Sequence, residues 1–262
     1  MELGFAVLLG LLQGFTEFLP VSSSGHLALA QAVIPGFHQP GVLFDAMLHV
    51  GTASAVVWYE RDQIRRWLAS REGRHIFGLL IIGTVATAVV GFALKSVATE
   101  AFQKPTWVGA ALVVTGLVVA STRFMTGGDR GETGTTWKQV IAIGLVQGIA
   151  VFPGLSRSGF TISAGLASGL KRAWAARFSF LLGVPAIAGA TLFELLAQRD
   201  GLSSVPGSFW LACVVGGVAA ALSGYLALII VLKMVSASTF HRFAWYCIPL
   251  GILVLVIEAG IF

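Results

Sequence analysis

Long apolar runs separated by short polar segments make up most of the chain. A helix needs about 20 predominantly apolar residues to cross the hydrocarbon core of a bilayer. Six segments come close to that length or exceed it between charges, prolines or glycines, and they cover residues 41–59, 76–95, 106–123, 178–197, 208–233 and 243–261. The pattern therefore predicts six transmembrane helices.

Two further apolar stretches, residues 3–34 and 139–170, are each long enough for a span and a half, but proline, glycine and serine interrupt both near the middle. An interruption inside hydrocarbon leaves backbone groups unpaired, which is tolerated only where protein or a polar cavity surrounds them. We therefore predict two re-entrant helical hairpins, each with a half-helix in, a polar turn and a half-helix out.

The two interrupted stretches are copies of each other. A shift of 134 residues aligns Gly10, Leu11, Gln13, Gly14, Phe18, Ser22, Ser24 and Gly25 with identical residues of the second stretch. Three predicted spans follow each copy, and an odd number of spans inverts the second half relative to the first. The prediction is an all-α polytopic membrane protein with one membrane domain over 1–262. Its first half covers 1–125, a linker covers 126–136, and the second half covers 137–262 in an inverted-topology repeat.

Composition supports a membrane protein. Hydrophobic residues make up 56% of the chain and charged residues 11%, whereas a soluble domain carries about 25% charged residues. The net charge of +5 lies in loops and gives little support to nucleic-acid binding. Cys213 and Cys247 both sit in apolar segments, which argues against a disulfide framework and favours packed or lipid-facing thiols.

The basic residues give an orientation. Thirteen of the 17 Lys and Arg fall in segments 60–75, 123–138, 171–177 and 233–242, while only three fall in the loops of the opposite side. The positive-inside rule places those four segments in the cytoplasm and both chain ends outside. The first hairpin then enters from outside and the second from the cytoplasm.

The two turns carry different chemistry. Aligned positions pair Glu17 with Val151, Ser23 with Arg157, and His26 with Phe160. A purely structural repeat has little reason to place a carboxylate and a histidine in one turn and a guanidinium in the other. We infer that the first half supplies catalytic groups and the second half a cation.

Each turn runs from proline through serine to a glycine that opens a second helix. Serine is a good N-cap, and a helix N-terminus is a ready anion site. Two such termini that face each other, with the planar fork of Arg157, predict a phosphate receptor. Its candidate ligands are Ser22, Ser24, Gly25, Ser156, Ser158 and Gly159. The alternative is that the serines act only as helix caps.

A buried Glu17 beside phosphate would repel it unless a proton or a metal intervenes, and a hard divalent cation would resolve that conflict. Ser23 or a neighbouring serine is a candidate nucleophile, with His26 as a nearby base. Alternatively a water attacks and the serines only bind. The simpler interpretations are that His26 is a packed side chain and that Arg157 extends to the membrane interface.

Other polar residues have mainly structural interpretations. Asp45 and His49 lie four apart on a predicted span, where they form a structural hydrogen bond or support the site. Residues 60–75 are predicted as a solvated amphipathic loop, and residues 126–136 as a flexible linker between the halves.

The two motifs together resemble those of the undecaprenyl-diphosphate phosphatases of the bacitracin-resistance type. Residues 13–26 match Glu or Gln, three residues, Glu, then Leu-Pro-x-Ser-Ser-Ser/Thr-Gly-His, and residues 153–159 match Pro-Gly-x-Ser-Arg-Ser-Gly. Both motifs stand at the expected places in a chain of typical length. The resemblance therefore covers the whole protein, and the pair of motifs is highly specific.

The resemblance implies hydrolysis of undecaprenyl diphosphate to undecaprenyl phosphate and inorganic phosphate, which recycles the lipid carrier for peptidoglycan synthesis and confers bacitracin resistance. It implies dependence on a divalent metal, Mg²⁺ or Ca²⁺. It also implies a bacterial inner membrane location, a site that opens to the periplasm, membrane lipids as surroundings, no nucleic acid, and a homodimer as the candidate assembly.

By position, the resemblance implies that Gln13 and Glu17 hold the metal, Ser23 is the nucleophile, His26 is the acid/base and Arg157 clamps the phosphate. Gln13 stands where many members have Glu. A neutral amide there leaves Glu17 as the one anionic metal ligand from this motif.

A transporter is the main rival interpretation, because inverted repeats with broken helices are transporter architecture. A carrier or flippase for a phosphorylated lipid would use the same anion site. The two functions differ in what they require of the turns. A transporter needs both turns to bind the lipid, whereas a hydrolase needs Glu17, Ser23 and His26 in one place. An ion channel is less favoured, because no continuous polar stripe runs through any predicted span.

Overall fold

The computed structural model describes residues 3–33, 42–199 and 205–260, and this part of the chain is helical throughout, without strands. Two 3₁₀ turns, Thr122–Phe124 and Phe240–Phe243, adjoin longer helices. The α-helices are α1 Leu3–Phe18, α2 Ser23–Val33, α3 Val42–Leu68, α4 Arg71–Ala101, α5 Pro105–Ser121, α6 Trp137–Ile149, α7 Arg157–Ala167, α8 Arg172–Ala197, α9 Gly207–Ser236 and α10 Ala244–Glu258.

Within the described ranges, five helices are long and apolar enough to cross a membrane: α4, α5 with its following turn, α8, α9, and α10 with its preceding turn. The prediction of a polytopic membrane protein is therefore confirmed. The remaining predicted span, residues 41–59, lies on α3 from Val42 onward, and this helix of 27 residues extends past the span into a charged segment.

Both interrupted stretches fold as helix–turn–helix hairpins. The first has α1 and α2 on either side of residues 19–22, and the second has α6 and α7 on either side of residues 150–156. The helices α1 and α6 have 16 and 13 residues, so at 1.5 Å per residue they are about 24 Å and 20 Å long. Neither reaches across a hydrocarbon core of about 30 Å.

The first arm of each hairpin packs on a helix of the other half. The helix α1 lies against α9 and α6 lies against α4, while α3 contacts α8 and α5 contacts α10. Glycines permit the approach, because a Cβ on Gly14 would lie 2.7 Å from Gly224 N and a Cβ on Gly148 would lie 2.6 Å from Val90 Cβ. Cys213, on α9, and Cys247, on α10, are free and buried as packed thiols.

The prediction of a solvated loop over 60–75 is wrong. The helix α3 continues to Leu68, and α4 starts almost at once behind Ser70, whose Oγ accepts a hydrogen bond of 3.0 Å from Gly73 N. Glu60 is only 4% exposed and pairs with Arg177 of α8. The segment is thus helical on both sides of a short turn, with Trp67 buried and the side chains of Arg61, Asp62 and Arg65 exposed.

The segment 126–136 is anchored, in contrast to the predicted flexible linker. Arg130 forms an isolated bridge with Leu170, and Glu132 accepts a hydrogen bond of 3.1 Å from Trp67 Nε1. Glu132 also lies 3.3 Å from Arg177. Segments predicted to share the cytoplasmic side therefore do meet at one end of the helical bundle.

Candidate active site

The turns of the two hairpins touch. Ser22 Oγ, in the first turn, accepts a hydrogen bond of 3.1 Å from Gly154 N in the second. In the opposite direction, Ser158 Oγ donates a hydrogen bond of 3.3 Å to the carbonyl of Leu19. Gly25 is required by this approach, because a Cβ there would lie 3.0 Å from the backbone of Gly154. The polar residues of both halves are thus gathered at one place.

Glu17 is the centre of this cluster. It is 8% exposed and forms an ion pair with Arg157 of the second hairpin. Ser23 Oγ donates a hydrogen bond of 2.7 Å to the carboxylate, and Gln13 Nε2 donates another of 2.9 Å. A buried charge is tolerated when it is paired and hydrogen-bonded, and these contacts meet that requirement. The acid of one hairpin and the guanidinium of the other are in direct contact.

His49, on α3, reaches the same cluster. Its Nδ1 contacts Gln13 Nε2 and lies 3.7 Å from the Glu17 carboxylate. The amide nitrogen can only donate, so Nδ1 accepts and the ring proton is on Nε2. Within the described residues Asp45 makes no hydrogen bond to His49, and its Oδ1 is buried without a partner. The Asp45–His49 hydrogen bond is therefore wrong, and His49 supports the site.

His26 is held away from the predicted nucleophile. Its Nδ1 donates a hydrogen bond of 2.8 Å to the Ser22 carbonyl, and its Nε2 is 2.7 Å from the hydroxyl of Tyr246 on α10. Ser23 instead hydrogen-bonds the carboxylate of Glu17. In this arrangement Glu17, and not His26, is the base next to the Ser23 hydroxyl.

The turn serines cap the outgoing helices. Ser22 Oγ accepts a hydrogen bond of 3.2 Å from Gly25 N, and Ser156 Oγ accepts one of 3.1 Å from Gly159 N. The two other turn hydroxyls lie beside these caps, 3.3 Å away for Ser24 and 3.2 Å away for Ser158. The capping interpretation is confirmed for Ser22 and Ser156. Both helix N-termini nevertheless point into the cluster, as an anion receptor requires.

Thr115 could not be singled out from sequence, because it lies inside an apolar span. Its Oγ1 donates a hydrogen bond of 2.8 Å to the Gly154 carbonyl and accepts one of 3.0 Å from Ser156 N. Gly154 has φ +92°, a left-handed conformation that favours glycine. Thr115 thus holds the second turn in place from α5.

The cluster contains oxygen ligands suited to a divalent cation. Gln13 is fully buried, and its Oε1 has no hydrogen-bond partner within the described ranges. This oxygen belongs to the same side chain that donates to Glu17. Amide and carboxylate oxygens are what Mg²⁺ and Ca²⁺ prefer, so Gln13 and Glu17 fit such an ion. No group of three or more His, Cys, Asp or Glu that could hold a metal occurs among the described side chains.

Comparisons with known proteins give relatives that match over nearly the whole chain. The chain is 43% identical to an undecaprenyl-diphosphatase of Syntrophotalea carbinolica over 256 residues, which cover 94% of this chain and 95% of the relative. It is 38% identical to an undecaprenyl-diphosphatase of Carboxydothermus hydrogenoformans, with 97% of each chain covered. An undecaprenyl-diphosphatase of Halothermothrix orenii is 36% identical over the full length of both chains.

The family model described as bacitracin resistance protein BacA matches residues 6–253, a range that begins within α1 and ends within α10. With a match of that extent, the chain belongs to the BacA bacitracin resistance protein family.

Proposed function

We propose that the protein hydrolyses undecaprenyl diphosphate to undecaprenyl phosphate and inorganic phosphate, and so recycles the lipid carrier for peptidoglycan synthesis and confers bacitracin resistance. The observation that carries this proposal is the convergence of Glu17, Ser23 and Arg157 in one buried cluster. The names of the relatives supply the substrate.

We further propose that six helices span the membrane and that both hairpins are re-entrant, with the two halves inverted. The shortness of α1 and α6 supports the re-entrant arrangement. Reciprocal packing of α1 on α9 and of α6 on α4 is what a two-fold exchange of the halves produces.

The bacterial inner membrane is the proposed location, with both chain ends outside and the site open to the periplasm. The meeting of Glu132, Arg177 and Trp67 at one end of the bundle supports a common side for the basic segments. The homodimer implied by the resemblance stays a prediction.

Arg157 binds the terminal phosphate in this proposal. Its side chain is 22% exposed, and one Nη forms the ion pair with Glu17. The other N–H donors of the guanidinium can therefore bind phosphate oxygens. Ser23 Oγ attacks the terminal phosphorus while its proton passes to the Glu17 carboxylate. The bond from phosphorus to the bridging oxygen breaks, and undecaprenyl phosphate leaves with that oxygen.

Water completes the reaction. It attacks the phosphoserine, gives a proton to His26 Nε2, and the bond between phosphorus and Ser23 Oγ breaks as Oγ regains its proton from Glu17. In the alternative route, water attacks the diphosphate directly and Ser23 only binds. A divalent ion held by Glu17 and Gln13 would supply charge neutralisation for the phosphate oxygens.

Phosphate release by the purified protein in detergent tests the function. Glu17→Ala and Arg157→Ala should abolish metal-dependent release from undecaprenyl diphosphate, whereas Glu100→Ala, an exposed carboxylate paired with Lys104, should retain it. Ser23→Ala should abolish turnover if serine is the nucleophile, and a slow residual rate would indicate attacking water. Tight binding of the lipid diphosphate without any phosphate release would favour the carrier or flippase.

A further inference from the structure

Tyr246 is joined to His26 by two kinds of contact. Its hydroxyl lies 2.7 Å from Nε2, and the two rings are nearly parallel, with an interplanar angle of 11° and centroids 5.7 Å apart. Tyr246 belongs to the first turn of α10 and is 220 residues away in sequence. The contact is therefore a product of the tertiary fold.

The other ring nitrogen determines which tautomer this contact meets. The Ser22 carbonyl can only accept, so Nδ1 of His26 carries the proton. The same carbonyl accepts the backbone N–H of His26 at 3.1 Å. Ser22 has φ +68°, a left-handed conformation that is uncommon for a serine. The imidazole is thus fixed through Nδ1, and in the neutral ring the lone pair is on Nε2.

The position of Tyr246 is set by the adjacent residue. Cys247 is buried, and its Sγ lies 3.2 Å from the carbonyl of Pro20 in the first turn. A Cβ on Gly116 of α5 would lie 3.3 Å from Cys247 Cβ, so α5 holds this turn of α10 closely. Tyr246 itself is 47% exposed. Its backbone is held against the hairpin turn while its ring remains at the edge of the site.

We propose that Tyr246 is a positioning residue for His26 in the hydrolysis, a role that rests on the proposed function. A phenol hydroxyl both donates and accepts. It donates to Nε2 while the imidazole is neutral and no water is bound. When the attacking water takes the place of that hydrogen bond and transfers its proton to Nε2, the phenol can turn to accept a hydrogen bond from the new N–H. The Ser22 carbonyl fixes the tautomer through Nδ1, and Tyr246 holds the orientation of the ring through Nε2.

The second half has no counterpart of this pair. The residue aligned with His26 is Phe160, which has no ring nitrogen to hold. The contact with Tyr246 is therefore a further difference between the two hairpins. It is made by the first hairpin, which also carries Glu17 and Ser23.

Tyr246→Phe keeps the ring and removes only the hydroxyl. We expect kcat for phosphate release to fall about tenfold, the usual size for the loss of one hydrogen bond, with KM unchanged because the phenol acts through His26. Tyr225→Phe is the matched control, since Tyr225 packs on Tyr59 and contacts none of the cluster residues. It should leave both constants unchanged.

A double-variant cycle separates positioning from a general structural effect. In a His26→Gln background, Tyr246→Phe should cause no further loss of kcat. An equal tenfold loss in both backgrounds would overturn the proposal, as would wild-type kcat in the single variant.

Nitrogen NMR of ¹⁵N-histidine-labelled protein supplies a readout that does not need turnover. Tyr246→Phe should shift the unprotonated nitrogen of His26, and Tyr225→Phe should not. If the protein releases no phosphate, the proposed function fails while this measurement still tests the contact. An unchanged His26 nitrogen signal would overturn the proposed pair directly.

Discussion

Arg157 has two competing partners, the Glu17 carboxylate and the incoming phosphate. In the structure it is paired with Glu17, which neutralises a carboxylate that would otherwise repel the substrate. The proposed mechanism requires one planar group to release part of that contact and to hold several phosphate oxygens. Arginine can do this and lysine cannot, because a guanidinium has several N–H donors in one plane whereas an ammonium is a point charge.

Arg157→Lys should therefore lower kcat/KM by about 100-fold, which corresponds to the loss of one or two charge-assisted hydrogen bonds. Phosphate release from the lipid diphosphate measures the effect. Arg65→Lys is the control, because the Arg65 side chain is 77% exposed at the basic end of α3. Turnover within threefold of the wild type would contradict the assignment of Arg157 as the clamp.

Some residues of the cluster could be predicted from sequence and others could not. Glu17, Ser23 and Arg157 stand in interrupted apolar stretches, where polar groups need a reason to be present. Support of the site by His49 is one of the two interpretations that its spacing from Asp45 allows, whereas Tyr246 stands in an ordinary apolar helix, and helical spacing alone does not say which neighbour a face will meet. Asp45 illustrates the same limit, because its spacing from His49 suggested a hydrogen bond that the fold does not form.

Close backbone contact between helices fixes the positions of the hairpins. The helix α1 lies against α9 at Gly14, where a Cβ would lie 2.5 Å from the Ala220 carbonyl oxygen and 2.7 Å from Gly224 N. Both of those atoms belong to backbone and cannot move aside alone. The whole of α1, which carries Gln13 and Glu17, would have to shift.

Gly14→Ala should destabilise the protein by about 1–3 kcal/mol, the usual cost of overpacking. Thermal unfolding in detergent measures this as a lower Tm. Gly78→Ala on α4 is the matched control, because a Cβ there meets nothing within 4 Å, and alanine has the higher helix propensity. An unchanged Tm for Gly14→Ala would show that α1 can separate from α9 at little cost.

Helix boundaries show where hydrophobic patterns are informative. The breaks before Ser23 and Arg157 fall where proline and serine interrupt the apolar runs. The pattern places the end of the α3 span too early, because a run of charges predicts a loop where the helix continues to Leu68. A pattern of apolar residues marks a membrane segment, whereas backbone hydrogen bonds continue beyond it.

Two buried ion pairs connect the two halves of the chain. Glu17 of the first half meets Arg157 of the second within the site. Glu60 of the first half meets Arg177 of the second at the basic end, where Arg177 also contacts Glu132. Arg177 lies six residues from Gly183, which adjoins the Arg157 guanidinium, so about 9 Å of α8 separates the pairs.

The pair of Glu60 and Arg177 should contribute to holding the halves together rather than to chemistry. Glu60→Gln leaves the largely buried guanidinium of Arg177 with a weaker partner. We expect the free energy of unfolding to fall by about 2 kcal/mol. This is below the 3–5 kcal/mol typical of a fully buried charge, because the Arg177 side chain is 27% exposed. The double variant Glu60→Gln/Arg177→Met removes both charges and should recover part of that stability. Thermal unfolding gives the comparison, and phosphate release per folded protein should stay near wild type. If the double variant is less stable than Glu60→Gln, the ion pair is itself a net source of stability. If the folded double variant loses turnover, the two ion pairs act together across the molecule.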